Sequence, residues 1–188
     1  SHISIFIELT RLKKPIGFML LFWPCIWGLS LSYNFSSDLN LYFFYSFLFF
    51  LGSVLMRSAG CIVNDIVDKD FDKNVERTKN RPLASESISV KLALIYATLL
   101  CFLAFLVLIN FNFKTVLLAI ASMPLAFSYP LMKRFTYWPQ LFLGITFNYG
   151  IVLGWTSINS DISLAIIVFY FGAIFWTIGY DTIYGFQD

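Results

Sequence analysis

Charge is scarce in this chain of 188 residues: only 13% of the residues are charged, whereas 59% are hydrophobic. Soluble domains carry about 25% charged residues, so the composition excludes an ordinary soluble fold. The long hydrophobic runs also lack the alternation of apolar and polar residues that a transmembrane β-barrel requires. Helices remain as the spanning element, because a helix forms its backbone hydrogen bonds within itself in lipid. The sequence therefore predicts an all-α, multi-pass transmembrane helical bundle.

Several residue types with characteristic chemistry are also few. The three cysteines, Cys25, Cys61 and Cys101, match no zinc or redox spacing, and we interpret them as small core residues. The only histidine, His2, gives no basis for a catalytic role. A glycine-rich phosphate loop is missing, which argues against nucleotide hydrolysis. No small-residue cleavage site follows the first apolar run, so a cleavable signal peptide is not expected.

Six apolar runs approach the length needed to cross a hydrocarbon core of about 30 Å, which takes roughly 20 helical residues. The predicted spans are residues 15–33, 41–63, 92–109, 115–132, 139–158 and 162–180. If the sides alternate, every Lys and Arg except Lys114 lies on the side of the N-terminus. The positive-inside rule places that side in the cytoplasm or the matrix. A bacterial inner membrane is the first expectation, and a mitochondrial inner membrane is the alternative.

One short stretch after the second span holds four of the acids. If the helix continues, Asp65, Asp68 and Asp72 fall within about 60° of one another, with Asn64 beside them, and Asp70 points elsewhere. Adjacent carboxylates repel one another unless a cation intervenes, and Mg²⁺ joins carboxylates to substrate phosphates. The stripe therefore predicts a Mg²⁺ site. A solvated helix end paired with nearby basic residues is the alternative.

A second acidic stretch begins where the sixth span ends. Asp181 and Asp188 are seven residues apart and would share one helix face. The predicted topology puts both on the same membrane side as the first stripe. Two opposed stripes at one cavity mouth would hold two or more Mg²⁺ ions around a diphosphate.

Basic and polar residues complete the candidate site. Arg57 lies inside the second span, where an ionisable residue indicates function. Asn64 and Tyr129 are candidates for orienting a substrate. The groups suited to phosphate oxygens are Arg77, Lys79, Arg81, Lys133 and Arg134. The alternative for these five residues is that they only mark the inner side of the membrane, because basic residues flank most spans there.

These motifs resemble those of the UbiA superfamily of intramembrane prenyltransferases. Its first aspartate-rich motif is similar to Asn64-Asp65-x-x-Asp68-x-x-x-Asp72 followed by Arg77-Thr78-x-Asn80-Arg81-Pro82-Leu83. Its second is similar to Asp181-Thr182-x-Tyr184 followed by Asp188. Three further stretches resemble the 4-hydroxybenzoate polyprenyltransferase branch, namely residues 14–24, 56–61 and 129–140.

The resemblance implies a single transmembrane prenyltransferase domain of nine helices around a cavity that opens sideways to lipid. Six of these helices are present, so the domain over residues 1–188 is expected to be incomplete at its C-terminal end. The implied activity is Mg²⁺-dependent transfer of a polyprenyl group from polyprenyl diphosphate to 4-hydroxybenzoate. The new bond forms at the ring carbon ortho to the hydroxyl, in ubiquinone biosynthesis.

The resemblance also gives the residues their expected roles. The metal ligands and catalytic acids are Asp65, Asp68, Asp72, Asp181 and Asp188. The substrate-binding residues are Arg57, Asn64, Arg77, Tyr129, Lys133, Arg134 and Tyr184. Within that set Arg77, Lys133 and Arg134 neutralise phosphate, and either Arg57 or Arg134 binds the benzoate carboxylate.

Two alternatives remain open. One is another UbiA-type aromatic or haem prenyltransferase, against which residues 129–140 argue. The other is a fragment of a cation transporter, whose acids would lie near mid-membrane rather than at the inner face. The expected partners are the lipid bilayer and the two substrates; nothing indicates nucleic acid or a protein partner.

Overall fold

The computed structural model describes residues 2–186, apart from the side chains of residues 133 and 134. Within these limits all regular structure is helical. The helices are α1 His2–Thr10, α2 Ile16–Ser32, α3 Leu39–Val67, α4 Lys69–Asp72, α5 Val90–Leu108, α6 Phe113–Phe135, α7 Pro139–Asn148, α8 Gly150–Thr156 and α9 Leu164–Gly185. The prediction of an all-α fold is confirmed.

Four of the described helices are long and apolar enough to cross a membrane: α3, α5, α6 as far as Met132, and α9. Helix α2 is equally apolar but shorter, with 17 residues. The fifth predicted span is not one continuous helix, because it divides at Tyr149 into α7 and α8. The chain is an integral membrane protein whose six predicted runs all form helices.

Local sequence signals explain where several helices begin. The side chains of Asp38, Ser89, Asn112 and Ser163 each accept a hydrogen bond from a backbone N–H in the first turn of α3, α5, α6 and α9. These caps satisfy N–H groups that have no partner inside the helix. Pro139 occupies the first turn of α7, where its missing N–H costs nothing.

Helices α2 and α8 pack backbone against backbone through small residues. A Cβ atom added to Gly28 would lie 2.0 Å from the carbonyl oxygen of Ile151. A Cβ atom added to Gly154 would lie 2.0 Å from the carbonyl oxygen of Cys25. Small residues allow membrane helices to approach this closely and to gain dispersion contacts. These contacts hold the helices together in lipid, where the hydrophobic effect does little to drive helix association.

The break between α7 and α8 coincides with a buried polar contact to α9. Asn148 is only 2% exposed, and its Nδ2 donates to Thr177 Oγ1 at 2.7 Å and to the Ala173 carbonyl at 3.2 Å. A buried amide requires partners, and Asn148 Nδ2 also donates to the Gly144 carbonyl of α7 at 2.9 Å, a local bond that competes with the helix ladder. The contact fixes the position of α9 just before its acidic end.

Candidate active site

The helices surround a cavity of about 1220 Å³ whose two ends differ in character. Its polar end is lined by Asn64, Asp68, Asp72, Arg77 and Asp181. Its apolar end is lined by Leu48, Phe49, Phe111 and Leu153. Both Asn64 and Leu48 belong to α3, and at 1.5 Å per residue they lie about 24 Å apart along it. The cavity therefore offers charge at one end and a long apolar wall beyond it.

The acid-bearing segment after α3 follows a nearly helical path. Asp68 alone departs from helical geometry, with φ −91° and ψ 4°, and α4 follows at once. The backbone N–H of Asp68 still donates to the Asn64 carbonyl at 2.9 Å, and that of Asp72 to the Asp68 carbonyl at 2.8 Å. Asp68 and Asp72 accordingly line the cavity, while Asp70 is exposed.

Asp65 is not among the described residues that line the cavity, but its carboxylate lies beside that of Asp72, because one arginine nitrogen contacts both. Its carboxylate is 2% exposed and is held by two arginines. Arg11 Nη2 donates to Asp65 Oδ1 at 2.6 Å. Arg81 Nη1 lies 3.2 Å from the same oxygen and 2.8 Å from Asp72 Oδ2. Asp65 and Asp72 therefore share Arg81, as neighbouring groups on one helix face can, and the two arginines occupy Asp65 Oδ1.

The two arginines come from segments that are themselves fixed in place. Arg11 follows α1 in the left-handed region, at φ 54°, a conformation that costs a non-glycine residue energy and persists only where surrounding contacts hold it. Arg81 lies in the loop of residues 73–89. Leu83 of this loop is 0% exposed and packs in one hydrophobic cluster with Leu9 and Ile62. The loop is thus packed in place beside the acidic end of the cavity.

Surface ion pairs of Glu86 also tie the end of this loop to its first residue and to α4. Glu86, at φ 60°, accepts a hydrogen bond from Lys73 Nζ at 2.8 Å, and Lys69 Nζ lies 3.8 Å away. The hydrogen bond from Lys73 holds the pKa of Glu86 below its ordinary value. Lys79 pairs with Glu76 at 2.6 Å on the exposed side of the loop, so the structure places it outside the cavity.

The opposite wall is built by α6 and α9. Asp181 and Tyr184 of α9 line the cavity, as does Tyr129 of α6. Tyr129 stacks on Phe142, with ring centroids 6.4 Å apart. The side chains of Lys133 and Arg134, and the whole of Asp188, lie outside the described residues. Asp68 and Asp72 of the first motif and Asp181 of the second therefore line one cavity.

The donor set on these walls suits a hard divalent cation. Asn64, Asp68, Asp72 and Asp181 offer only oxygen ligands or an amide, the set that Mg²⁺ prefers. Among the described residues, however, no three acidic, histidine or cysteine side chains lie close enough to share one ion. A bound Mg²⁺ would thus take part of its coordination from substrate oxygens or water.

Arg57 of α3 also lines the cavity. Its guanidinium carbon lies 5.5 Å from the ring centroid of Phe147, within the range of a cation–π contact. Its guanidinium packs closely against Gly17, where an added Cβ would lie 2.8 Å from Arg57 Nε. Among the described residues no carboxylate lies within salt-bridge distance of Arg57.

Residues 21–188 match the model of the UbiA prenyltransferase family. The chain belongs to the UbiA prenyltransferase family. The 4-hydroxybenzoate polyprenyltransferase, mitochondrial, of Caenorhabditis elegans is 46% identical over 188 residues, covering 100% of this chain and 52% of that protein. That of Homo sapiens is 42% identical over 184 residues, covering 97% and 49%. The chain spans about half the length of these curated relatives.

A solved structure agrees with the fold. The apo structure of a UbiA homologue from Aeropyrum pernix K1 superposes with a TM-score of 0.73 at 27% identity, covering 90% of this chain and 63% of that one. The predicted family and fold are therefore confirmed.

Sequence reasoning missed the role of Arg11 altogether and assigned Arg81 to phosphate rather than to the acids. Arg11 carried no signal beyond its position before the first span, since basic residues are common there. Arg81 lies in the first motif, but its pairing with Asp65 and Asp72 depends on how the loop folds back.

Proposed function

We propose that the complete protein transfers a polyprenyl group from polyprenyl diphosphate to 4-hydroxybenzoate, at the ring carbon ortho to the hydroxyl, in ubiquinone biosynthesis. The observation that carries the proposal is the cavity, which places acids of both motifs at one end of an apolar channel about 24 Å long. A polyprenyl diphosphate is divided in the same way, with a charged group at one end and a long apolar tail. The names of the curated relatives support this donor and acceptor.

Mg²⁺ is the cofactor proposed for this site. Asp68 and Asp72, with Asn64, would hold it on one wall, and Asp181 and Asp188 on the other. Asp65 remains a candidate ligand that its two arginines would first have to release. Bound Mg²⁺ neutralises charge on a leaving diphosphate. A UbiA homologue from Archaeoglobus fulgidus has been solved with GPP and Mg²⁺ bound, which supports the choice of metal.

Basic side chains would neutralise the remaining negative charge of the diphosphate. Arg77, Lys133 and Arg134 are proposed to neutralise the phosphate oxygens. The allylic C–O bond breaks with its electron pair leaving on the diphosphate. The ortho carbon of the phenol ring then forms the new C–C bond and loses its proton. Water is kept away by the apolar wall, where the ring faces of Tyr129 and Tyr180 can stabilise positive charge.

The acceptor carboxylate is proposed to bind Arg57. Two residues, Arg57 and Arg134, were candidates from the sequence. Arg57 lines the cavity, packs closely against Gly17 and has no described carboxylate in salt-bridge range. A guanidinium in such a setting can receive a carboxylate bidentately. Tyr184 and Tyr129 would orient the ring from the opposite wall.

The acidic end of the cavity is proposed to face the matrix or the cytoplasm, as the basic residues predict. The relatives are named as mitochondrial proteins of animals and plants, which favours a mitochondrial membrane over the bacterial one first expected.

The test is a transfer assay on membranes that contain the complete protein. A polyprenyl diphosphate is offered with 4-hydroxybenzoate and with other aromatic acceptors, in Mg²⁺ and in EDTA. Prenylated 4-hydroxybenzoate that forms only with Mg²⁺ is expected. Transfer confined to another acceptor, or ion flux in liposomes without release of diphosphate, would overturn the proposal.

A further inference from the structure

Two arginines from separate parts of the chain share one buried carboxylate beside the cavity. Arg11 Nη2 lies 2.6 Å from Asp65 Oδ1, and Arg81 Nη1 lies 3.2 Å from the same atom. Arg81 Nη1 also lies 2.8 Å from Asp72 Oδ2. The Asp65 side chain is 2% exposed, whereas the arginine side chains are 29% and 28% exposed.

These four groups balance in charge without any metal. Asp65 and Asp72 face two guanidiniums, so these two carboxylates already hold counterions. A divalent cation that binds Asp65 Oδ1 or Asp72 Oδ2 must displace a guanidinium. Removing one partner from a buried pair leaves a charge without compensation, which is strongly unfavourable. Resident arginines therefore compete with a metal for the first aspartate-rich motif.

A diphosphate changes this competition. Both Arg11 and Arg81 line the cavity, so a phosphate group at its polar end lies within their reach. Guanidinium forks bind phosphate oxygens bidentately, with strong charge-assisted hydrogen bonds. An arginine displaced from a carboxylate by the metal would then gain a new anionic partner. Metal and diphosphate would each lower the cost of binding the other.

We infer that Arg11 and Arg81 act as positioning residues that make metal binding conditional on the diphosphate. The inference rests on the proposed function and extends it, because it assigns to both residues a role in the order of binding. It also gives the ion pairs of Asp65 a role, because the two arginines occupy Asp65 Oδ1 until a metal diphosphate arrives. Coupling between two ligands typically changes affinity about 5- to 150-fold.

The test measures Mn²⁺ binding to the complete protein in detergent, with no diphosphate present. Equilibrium dialysis with metal analysis of both compartments gives the bound Mn²⁺ at a known free concentration. Arg11→Gln and Arg81→Gln are each expected to bind Mn²⁺ at least about fivefold more tightly than the wild type. If the two arginines had a merely structural role, the glutamine variants would bind Mn²⁺ more weakly than the wild type, since a disordered site binds metal less well.

Three further variants control for charge and folding. Lys79→Gln removes the same charge from the same loop, but Lys79 pairs with Glu76 on the surface, so Mn²⁺ affinity should stay unchanged. Arg81→Lys keeps the charge and should return the affinity towards that of the wild type. Adding Asp65→Asn to Arg11→Gln should remove the gain, because the released carboxylate is then missing.

A second arm adds inorganic pyrophosphate to both dialysis compartments. In the wild type, pyrophosphate should tighten Mn²⁺ binding at least about fivefold, and in Arg81→Gln the tightening should shrink. If the glutamine variants do not fold, Arg81→Lys replaces them in this arm, and its tightening should be smaller than that of the wild type because lysine lacks the fork. Unchanged wild-type affinity with pyrophosphate, or weaker Mn²⁺ binding by folded glutamine variants, overturns the inference.

Failure of the inference can be told apart from failure of the proposed function. A wild type that transfers prenyl groups but shows no coupling leaves the function standing and overturns the role of the arginines. A wild type that neither binds Mn²⁺ with pyrophosphate nor transfers a prenyl group overturns both.

Discussion

The guanidinium of Arg57 lies over the ring of Phe147, with its central carbon 5.5 Å from the ring centroid. Arg57 is thus held by an aromatic face while its donor groups remain beside the cavity. A cation kept in this way inside a membrane helix indicates a function, and the proposed function uses it to bind the acceptor carboxylate.

Arg57→Gln is expected to raise the KM for 4-hydroxybenzoate and to change the KM for the diphosphate little. A hydrogen bond to a charged group contributes about 1.5–3 kcal/mol, which corresponds to a rise of about 10- to 100-fold. Arg57→Lys should give an intermediate value, because it keeps the charge and loses the fork. Steady-state kinetics with each substrate varied in turn measures this, and an unchanged acceptor KM in Arg57→Gln would shift the role to Arg134.

Gly17→Ala tests the same site without removing a charge. The new Cβ would lie 2.8 Å from Arg57 Nε, so the arginine side chain must move. Because that side chain is flexible, the protein should remain folded while the acceptor KM rises. Gly179→Ala is the matched control, since an added Cβ there meets no atom within 4 Å. Equal acceptor KM values for the two variants would contradict this account of Arg57.

Gly28→Ala is expected to destabilise the contact between α2 and α8. Its Cβ would lie 2.0 Å from a backbone oxygen, and a backbone atom cannot rotate away as a side chain can. Overpacking typically costs about 1–3 kcal/mol, so the midpoint of thermal unfolding in detergent should fall. Gly172→Ala in α9 meets no atom within 4 Å and should unfold like the wild type. If both variants unfolded at the same temperature, the close approach of the two helices would be in doubt.

The membrane helices could be predicted from the sequence because lipid imposes a simple rule on length and apolar composition. The division of the fifth span at Tyr149 could not. Residues 139–158 form one apolar run, and the break accompanies bonds from Asn148 to Ala173 and Thr177 of a helix later in the chain. Tertiary contacts of this kind leave no local signal.

The acidic motif also shows that contacts from distant parts of the chain cannot be predicted from the local sequence, here for single residues. Helix geometry correctly turned Asp70 away from Asp68 and Asp72. The same geometry placed Asp65 beside Asp72, and Arg81 Nη1 contacts both carboxylates. It could not predict the second arginine on Asp65, because that side chain comes from elsewhere in the chain. Arg11 lies 54 residues from Asp65 in the sequence. Long-range ion pairs depend on the packed structure, so sequence spacing alone gives the motif but not the state of each carboxylate.

The most direct measurement compares Asp68→Ala with Asp70→Ala in the complete protein, using transfer of a polyprenyl group to 4-hydroxybenzoate at saturating Mg²⁺. Asp68 lines the cavity, whereas Asp70 is exposed two residues away and carries the same charge. Asp68→Ala is expected to lose activity by about 10²- to 10³-fold, the usual effect of removing one group that stabilises transition-state charge. Asp70→Ala should keep near-normal turnover. Near-normal transfer by a well-expressed Asp68→Ala variant would contradict the assignment of this cavity as a metal-dependent prenyl transfer site.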